Sequence, residues 1–259
     1  MEMPQVPAEP GFRHRGVEVS RLETFVDAAF AFSLTLLVIF HDDLPDSAAE
    51  LRDALRRIPT FIACFVLMAM FWAAHRRWSR RFGLEDAYST IVSMAFVAVM
   101  MIYVYPLRMV ISSGLSMLTG GWVPSELGRL SDDWLLDVQT LFIVYSVGFG
   151  LLSGLLWLLN AHARRLADAM RLDTRERFEV ETEIGSQLIP TVAAAVSILL
   201  SVVVLATGPH RAPGIVSLPM WTYAAMGAVF PLYHAMRGRR LARMEAAAAM
   251  PGPAGPVPP

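Results

Sequence analysis

An all-α integral membrane protein with six transmembrane helices is the fold class that this 259-residue sequence predicts, on three observations. Hydrophobic residues make up 55% of the chain and charged residues only 17%, with a mean hydropathy of +0.46. A soluble domain usually carries about a quarter charged residues. Six apolar stretches approach the roughly 20 residues that the hydrocarbon core demands. The arginines also fall in alternate connections, as they do in multi-span proteins.

The spans are expected at 22–40, 58–78, 88–112, 134–160, 186–207 and 215–234. Arg13, Arg15 and Arg21 precede the first. Arg76, Arg77, Arg80 and Arg81 close the second, Arg164, Arg165, Arg171, Arg175 and Arg177 follow the fourth, and Arg237, Arg239, Arg240 and Arg243 follow the sixth. The alternate connections hold fewer, so the positive-inside rule puts both termini in the cytoplasm. Trp78, Trp134, Trp157, Trp221 and Tyr233 near span ends fit interfacial anchoring.

Between the spans the loops are short. In 42–57, Ser47 and Glu50 have capping-box spacing, and Leu51, Leu55 and Ile58 share a face, which predicts a short amphipathic helix. Segment 161–185 is expected to prolong the fourth span as a charged helix, with a new helical start near Asp173 or Thr174. Pro190 and Pro231 are candidate kinks, and Ser146, Gly150 and Gly154 predict close helix contact. Three regions result: a cytoplasmic segment 1–20 whose start, 1–12, is expected to be disordered, a transmembrane domain 21–237, and a largely disordered Arg/Ala/Pro-rich tail 238–259.

Composition excludes several classes. Net charge is −1, so no basic field points to nucleic acid. No lysine occurs, which removes P-loop and Schiff-base chemistry. The single cysteine, Cys64, sits in an apolar run and reads as a packed thiol. No His-Glu-x-x-His or Gly-x-Ser-x-Gly is present, so an enzyme is not expected, nor is a catalytic or metal site. There is no arginine at every third position of a span and no Thr-Val-Gly-Tyr-Gly filter.

Asp27 is the informative residue, because a carboxylate within a spanning helix costs a few kcal/mol unless it is paired or wet. It reads either as a structural polar contact or as an ion or proton site. Trp72 and His75 end the second span at the same expected depth, so Arg21 and His75 are candidate donors to Asp27. Trp72 as an interface anchor and His75 as a solvated side chain read equally well. Phe32, Leu36 and Ile39 follow i, i+4, i+7 spacing, with Thr35 adjacent; such a stripe alone usually means ordinary helix packing.

The stretch Arg21–Val38, with Arg21, Phe25 and Asp27 in place, resembles the first helix of the transmembrane protein 175 family, whose signature is Arg, three residues, then Phe-Ser-Asp. Val26 stands where that signature has serine. The Trp72…His75 pair is similar to the family's second helix. The resemblance implies a potassium-permeable cation (leak) channel whose first helices line the pore. Phe32 falls at the family's hydrophobic constriction, Leu36 and Ile39 form the next layers, and Thr35 matches a pore-adjacent threonine. Arg21, Phe25, Asp27, Trp72 and His75 would form a packing and hydrogen-bond network. One helix cannot enclose a pore, so the resemblance implies a homotetramer in the lipid bilayer of the cell membrane. No cofactor is implied beyond permeant K+, and no nucleic-acid partner. Val26 and the large Phe32 favour, as alternatives, a non-conducting scaffold or partner-binding protein of the same fold. A proton-coupled transporter using Asp27 and His75 is the third reading.

Overall fold

The computed structural model describes residues 12–16, 18–39, 46–127, 132–207 and 213–249, and gives the backbone only at 38, 39, 213, 214, 248 and 249. Its elements are α1 (Arg21–Ile39), α2 (Ala48–Leu55), α3 (Ile58–Phe82), α4 (Ala87–Leu118), α5 (Trp134–Arg165), α6 (Thr174–Thr207), α7 (Pro213–Val216) and α8 (Leu218–Ala249). No strand occurs among the described residues.

Among the described residues, four helical stretches are long and apolar enough to cross a membrane: Ala48–Phe82, Ala87–Leu118, Trp134–Arg165 and Thr174–Thr207. Helix α8 is diluted by Tyr223, Tyr233 and His234. At 1.5 Å per residue the 34 residues of α6 exceed a bilayer's thickness, so its charged first turns project from the apolar part.

Local signals account for the boundaries. Ser47 caps α2, its side chain accepting from the Glu50 amide at 3.2 Å, while Glu50 accepts from the Asp46 amide at 3.1 Å. Gly83 ends α3 in the left-handed conformation, with φ 59°. Asp86 and Asp133 cap α4 and α5. Helix α6 begins at Thr174, where Asp173 accepts from the Glu176 amide at 2.8 Å and Glu176 accepts from the Asp173 amide at 3.1 Å. Pro106, Pro190 and Pro231 lie inside α4, α6 and α8.

The core runs between α3, α4 and α5 through Cys64, Met68, Phe96, Met100, Leu152 and Leu156. Helix α5 lies close along α6: a Cβ on Gly150 would stand 2.9 Å from the Ala194 Cβ. Ser146 donates to Ser197 at 2.9 Å and accepts from Tyr223 of α8 at 2.7 Å. A Cβ on Gly154 would meet nothing within 4 Å, so the small-residue stripe is used only in part. Helices α1 and α8 are the edges, α1 on α3 and α4, α8 on α6.

Ion pairs sort the helix ends. Arg80 with Glu23, Arg81 with Glu179 and Glu183, His162 with Asp86, and Arg175 with Glu245 gather the arginine-rich ends of α1, α3, α4, α5, α6 and α8. The opposite end holds Arg56 on the Trp122 carbonyl and Arg108 on Glu126. Alternation of arginines in sequence thus becomes separation in space.

Three boundaries differ from expectation. Helix α5 ends at Arg165, so residues 174–185 prolong α6 and not the fourth span. Helix α8 continues to Ala249, through the first half of the expected disordered tail, because Arg237 and Glu245 tie it to α6 and the run Glu245–Ala249 favours helix. Phe12, assigned by sequence to the disordered start, is 2% exposed against the Phe82 ring. Residues 1–11 and 250–259, and the expectations made for them, lie outside the described residues.

Candidate functional site

Helix α1 carries most of the residues singled out by sequence. Its inward face holds Glu23, Val26, Ser33 and Leu37, each at most 3% exposed. Ser20 caps it, accepting from the Glu23 amide at 3.0 Å. Arg21, Phe25, Ala28 and Phe32 follow i, i+4, i+7, i+11 and form an exposed stripe, flanked by Thr24, Ala31 and Thr35. Among the described residues this side is left uncovered, and Phe25 and Phe32 are 48% and 51% exposed.

Polar ties hold the covered side. The Glu23 carboxylate accepts from Arg80 of α3 at 2.8 Å. One turn on, the Trp72 indole donates to Asp27 at 2.7 Å. Trp72 also stacks on Phe30 at 5.4 Å, and the Arg76 guanidinium lies 5.2 Å from its ring centroid. At the far end, Arg108 of α4 donates to the Leu37 carbonyl at 2.9 Å and to Glu126 at 2.6 Å. Arg108 thereby meets one of the carbonyls that a helix end leaves open. A cleft of about 440 Å³ beside it is lined by Arg57, Tyr105, Arg108, Met109, Ser125 and Glu126.

The structure brings Asp27 and Trp72 together and takes the other network members elsewhere. His75 is 1% exposed, hydrogen-bonds Ser93 of α4 at 2.9 Å and stacks on Phe96. It is neither solvated nor the donor to Asp27. Three residues along a helix rotate a side chain by about 60°, enough to turn it from α1 to α4. Arg21 is exposed and forms no hydrogen bond or ion pair with a described residue, because it lies about 120° around α1 from Asp27. Phe25 shares Arg21's stripe. Val26, where the signature has serine, is buried at 2% exposure. Leu36 is half-buried against the core, and the Thr35 hydroxyl donates to the Ala31 carbonyl at 3.1 Å. Ile39 is the last residue of α1, and its side chain lies outside the described residues.

A second assembly, missed by the sequence reading, secures the approach to α1. Glu176, whose side chain is 0% exposed, accepts from both terminal nitrogens of Arg15, at 3.1 and 2.9 Å, and from the Arg13 amide at 3.0 Å. The Gly16 amide donates to the Arg80 carbonyl at 3.1 Å. A Cβ on Gly16 would fall 2.8 Å from the Ser79 carbonyl oxygen, so only glycine lets this segment lie so close. The Arg81 guanidinium lies 4.9 Å from the Phe12 ring centroid. Burial pushes the Glu176 carboxyl up, but the Arg15 guanidinium and the amides of Arg13 and Asp173 outweigh it and hold it at about 2. The Asp173…Glu176 spacing was a legible capping signal; its partner 161 residues away was not. Glu23, Ser93 and the Arg108–Glu126 pair were also missed. Arg108, a lone cation within the apolar run of α4, was the available clue.

Together these features define a helical membrane protein with one edge helix fastened at both ends and bare along one side. Residues 21–106, spanning α1 to the middle of α4 and including Asp27, Trp72 and His75, match the family of the endosomal/lysosomal potassium channel TMEM175. A potassium channel of Marivirga tractuosa is 25% identical over 201 residues, covering 76% of this chain and 81% of the relative. A variant of the potassium channel MtTMEM175, crystallised with a nanobody–MBP fusion protein, has the same fold: TM-score 0.76 at 22% identity, covering 90% of this chain and 100% of that one.

Proposed function

We propose that the chain is a potassium-permeable cation leak channel of six spans, assembled as a homotetramer in the cell membrane with both termini cytoplasmic. The uncovered side of α1 carries this reading. It combines small residues, Ala28 and Ala31, with Phe25, Phe32 and Thr35, on a helix whose other side is held by α3 and α4. Four such sides around a common axis enclose a path, and the relatives named as potassium channels support its use by K+.

In this arrangement Phe32 forms the hydrophobic constriction, Leu36 and Ile39 the layers beyond it, and Thr35 a hydroxyl beside the path. A ring of phenylalanines resists wetting, so ion passage waits on the rings swinging aside. Asp27 acts structurally: its bond to Trp72 fixes the tilt of α1. The arginine-rich end faces the cytoplasm by the positive-inside rule.

Purified protein in liposomes tests this. Parent protein passes K+ in preference to Na+ without a proton gradient, and Phe32→Ala raises the K+ flux about fivefold or more by relieving the dewetted ring. A conducting parent whose flux Phe32→Ala leaves unchanged removes Phe32 from the constriction. A parent that conducts nothing leaves a scaffold as the better account.

A further inference from the structure

Helix α8 carries four arginines in seven positions, Arg237, Arg239, Arg240 and Arg243 among them all. Arg237 is engaged by α6: it donates to the Thr182 hydroxyl at 2.8 Å and the Phe178 carbonyl at 2.9 Å. The other three pair with no described carboxylate, although Arg15, Arg80, Arg81 and Arg175 at the same end all do. With Tyr233 and Met236 the four arginines line a cleft of about 340 Å³.

The depth of this cleft identifies what can reach it. The run Leu218–Met236 contains no Asp, Glu, Lys or Arg. It rises about 30 Å, the thickness of the hydrocarbon core, so the next turns emerge among headgroups. The stripe continues inward: Val229, Leu232 and Met236 lie below the arginines at helical spacing, 43%, 62% and 50% exposed. One continuous face therefore presents the guanidiniums of Arg239, Arg240 and Arg243, unpaired among the described residues, above and bare apolar surface beneath. Guanidiniums bind phosphate bidentately. The apolar stripe suits an acyl chain and has no use for a free anion.

We propose that this face of α8 binds an anionic phospholipid, phosphate among Arg239, Arg240 and Arg243 and acyl chain along Met236, Leu232 and Val229. The proposal rests on α8 crossing the membrane; it does not rest on conduction, because its readout is lipid retention.

The test is native mass spectrometry of the full chain in detergent, titrated with phosphatidylglycerol or phosphatidylcholine, with inorganic phosphate as competitor. The parent retains phosphatidylglycerol with about tenfold preference, and the triple change Arg239→Gln, Arg240→Gln, Arg243→Gln removes most of it. Arg77→Gln with Arg165→Gln, two exposed arginines of other helices, leaves the preference intact. If the triple variant does not fold, Arg240→Gln alone lowers the preference about threefold. Three results overturn the proposal: retention unchanged in the α8 variants, an equal loss in the Arg77/Arg165 control, or displacement of the lipid by inorganic phosphate.

Discussion

The two edge helices, α1 and α8, each pack on one side only, yet their bare sides differ in kind. On α8 the free surface is large and apolar: Trp221, Val229, Leu232 and Met236 are all at least 43% exposed. On α1 the phenylalanines alternate with Thr24, Ala28, Ala31 and Thr35. Bulky side chains are solvated well by lipid, whereas small ones let a second backbone approach. The ties differ too. The first turn of α6 holds both helices, through adjacent residues. Glu176, fully enclosed, grips Arg15 ahead of α1; Arg175, 39% exposed, meets Glu245 of α8, 51% exposed. One tie of α6 is thus enclosed and the other open to solvent.

The largest effect is expected from bulk placed on the two bare sides. Ala28→Trp separates the protomers, read as a fall to monomer mass in detergent, whereas Val229→Trp leaves the oligomer intact. Equal behaviour of the two variants would erase the distinction between the faces.

The two ties of α6 should differ next. Glu176→Gln destabilises the fold by about 3 kcal/mol, because it strips charge from an enclosed pair and leaves Arg15 unmatched. Glu245→Gln costs about 1 kcal/mol or less, as exposed pairs do. Thermal unfolding in detergent compares them. Acid sharpens the same contrast. Folding lowers the Glu176 pKa from 4.5 to about 2, so its contribution is complete above pH 4.5 and is lost as pH falls towards 2. The parent therefore loses more stability than Glu176→Gln across that window. Parallel losses would show that Glu176 is not the titrating anchor.

An effect no larger than that of Glu176→Gln concerns the α1–α3 contact itself. Trp72→Phe keeps a ring beside Phe30 and removes the donor to Asp27, costing about 1.5–3 kcal/mol for a bond to a charged acceptor. A variant as stable as the parent would mean that the Asp27 carboxylate is held by something other than the indole.

Much of the helical plan was legible. Spans appear as apolar runs because a bilayer imposes a length, and Ser47 and Asp173 announce helix starts because orphaned amides need acceptors within three residues. Asp27 and Trp72 were legible as neighbours at one expected depth, but the donors expected for Asp27 were Arg21 and His75, and the structure supplies the Trp72 indole instead. The partners of His75, Arg15 and Arg108 were not legible, since depth leaves rotation about each helix open.

By itself, then, the sequence determined which segments are apolar, which ends gather arginine, and that one carboxylate within a span needs a donor; these follow from solvation and local backbone geometry. Only the tertiary structure decided that His75 turns to Ser93, that Glu176 holds the approach to α1, and that Arg21, Phe25 and Phe32 share a bare side. Those outcomes depend on how helices are rotated against one another, a sum of many distant packing contacts that no local pattern encodes.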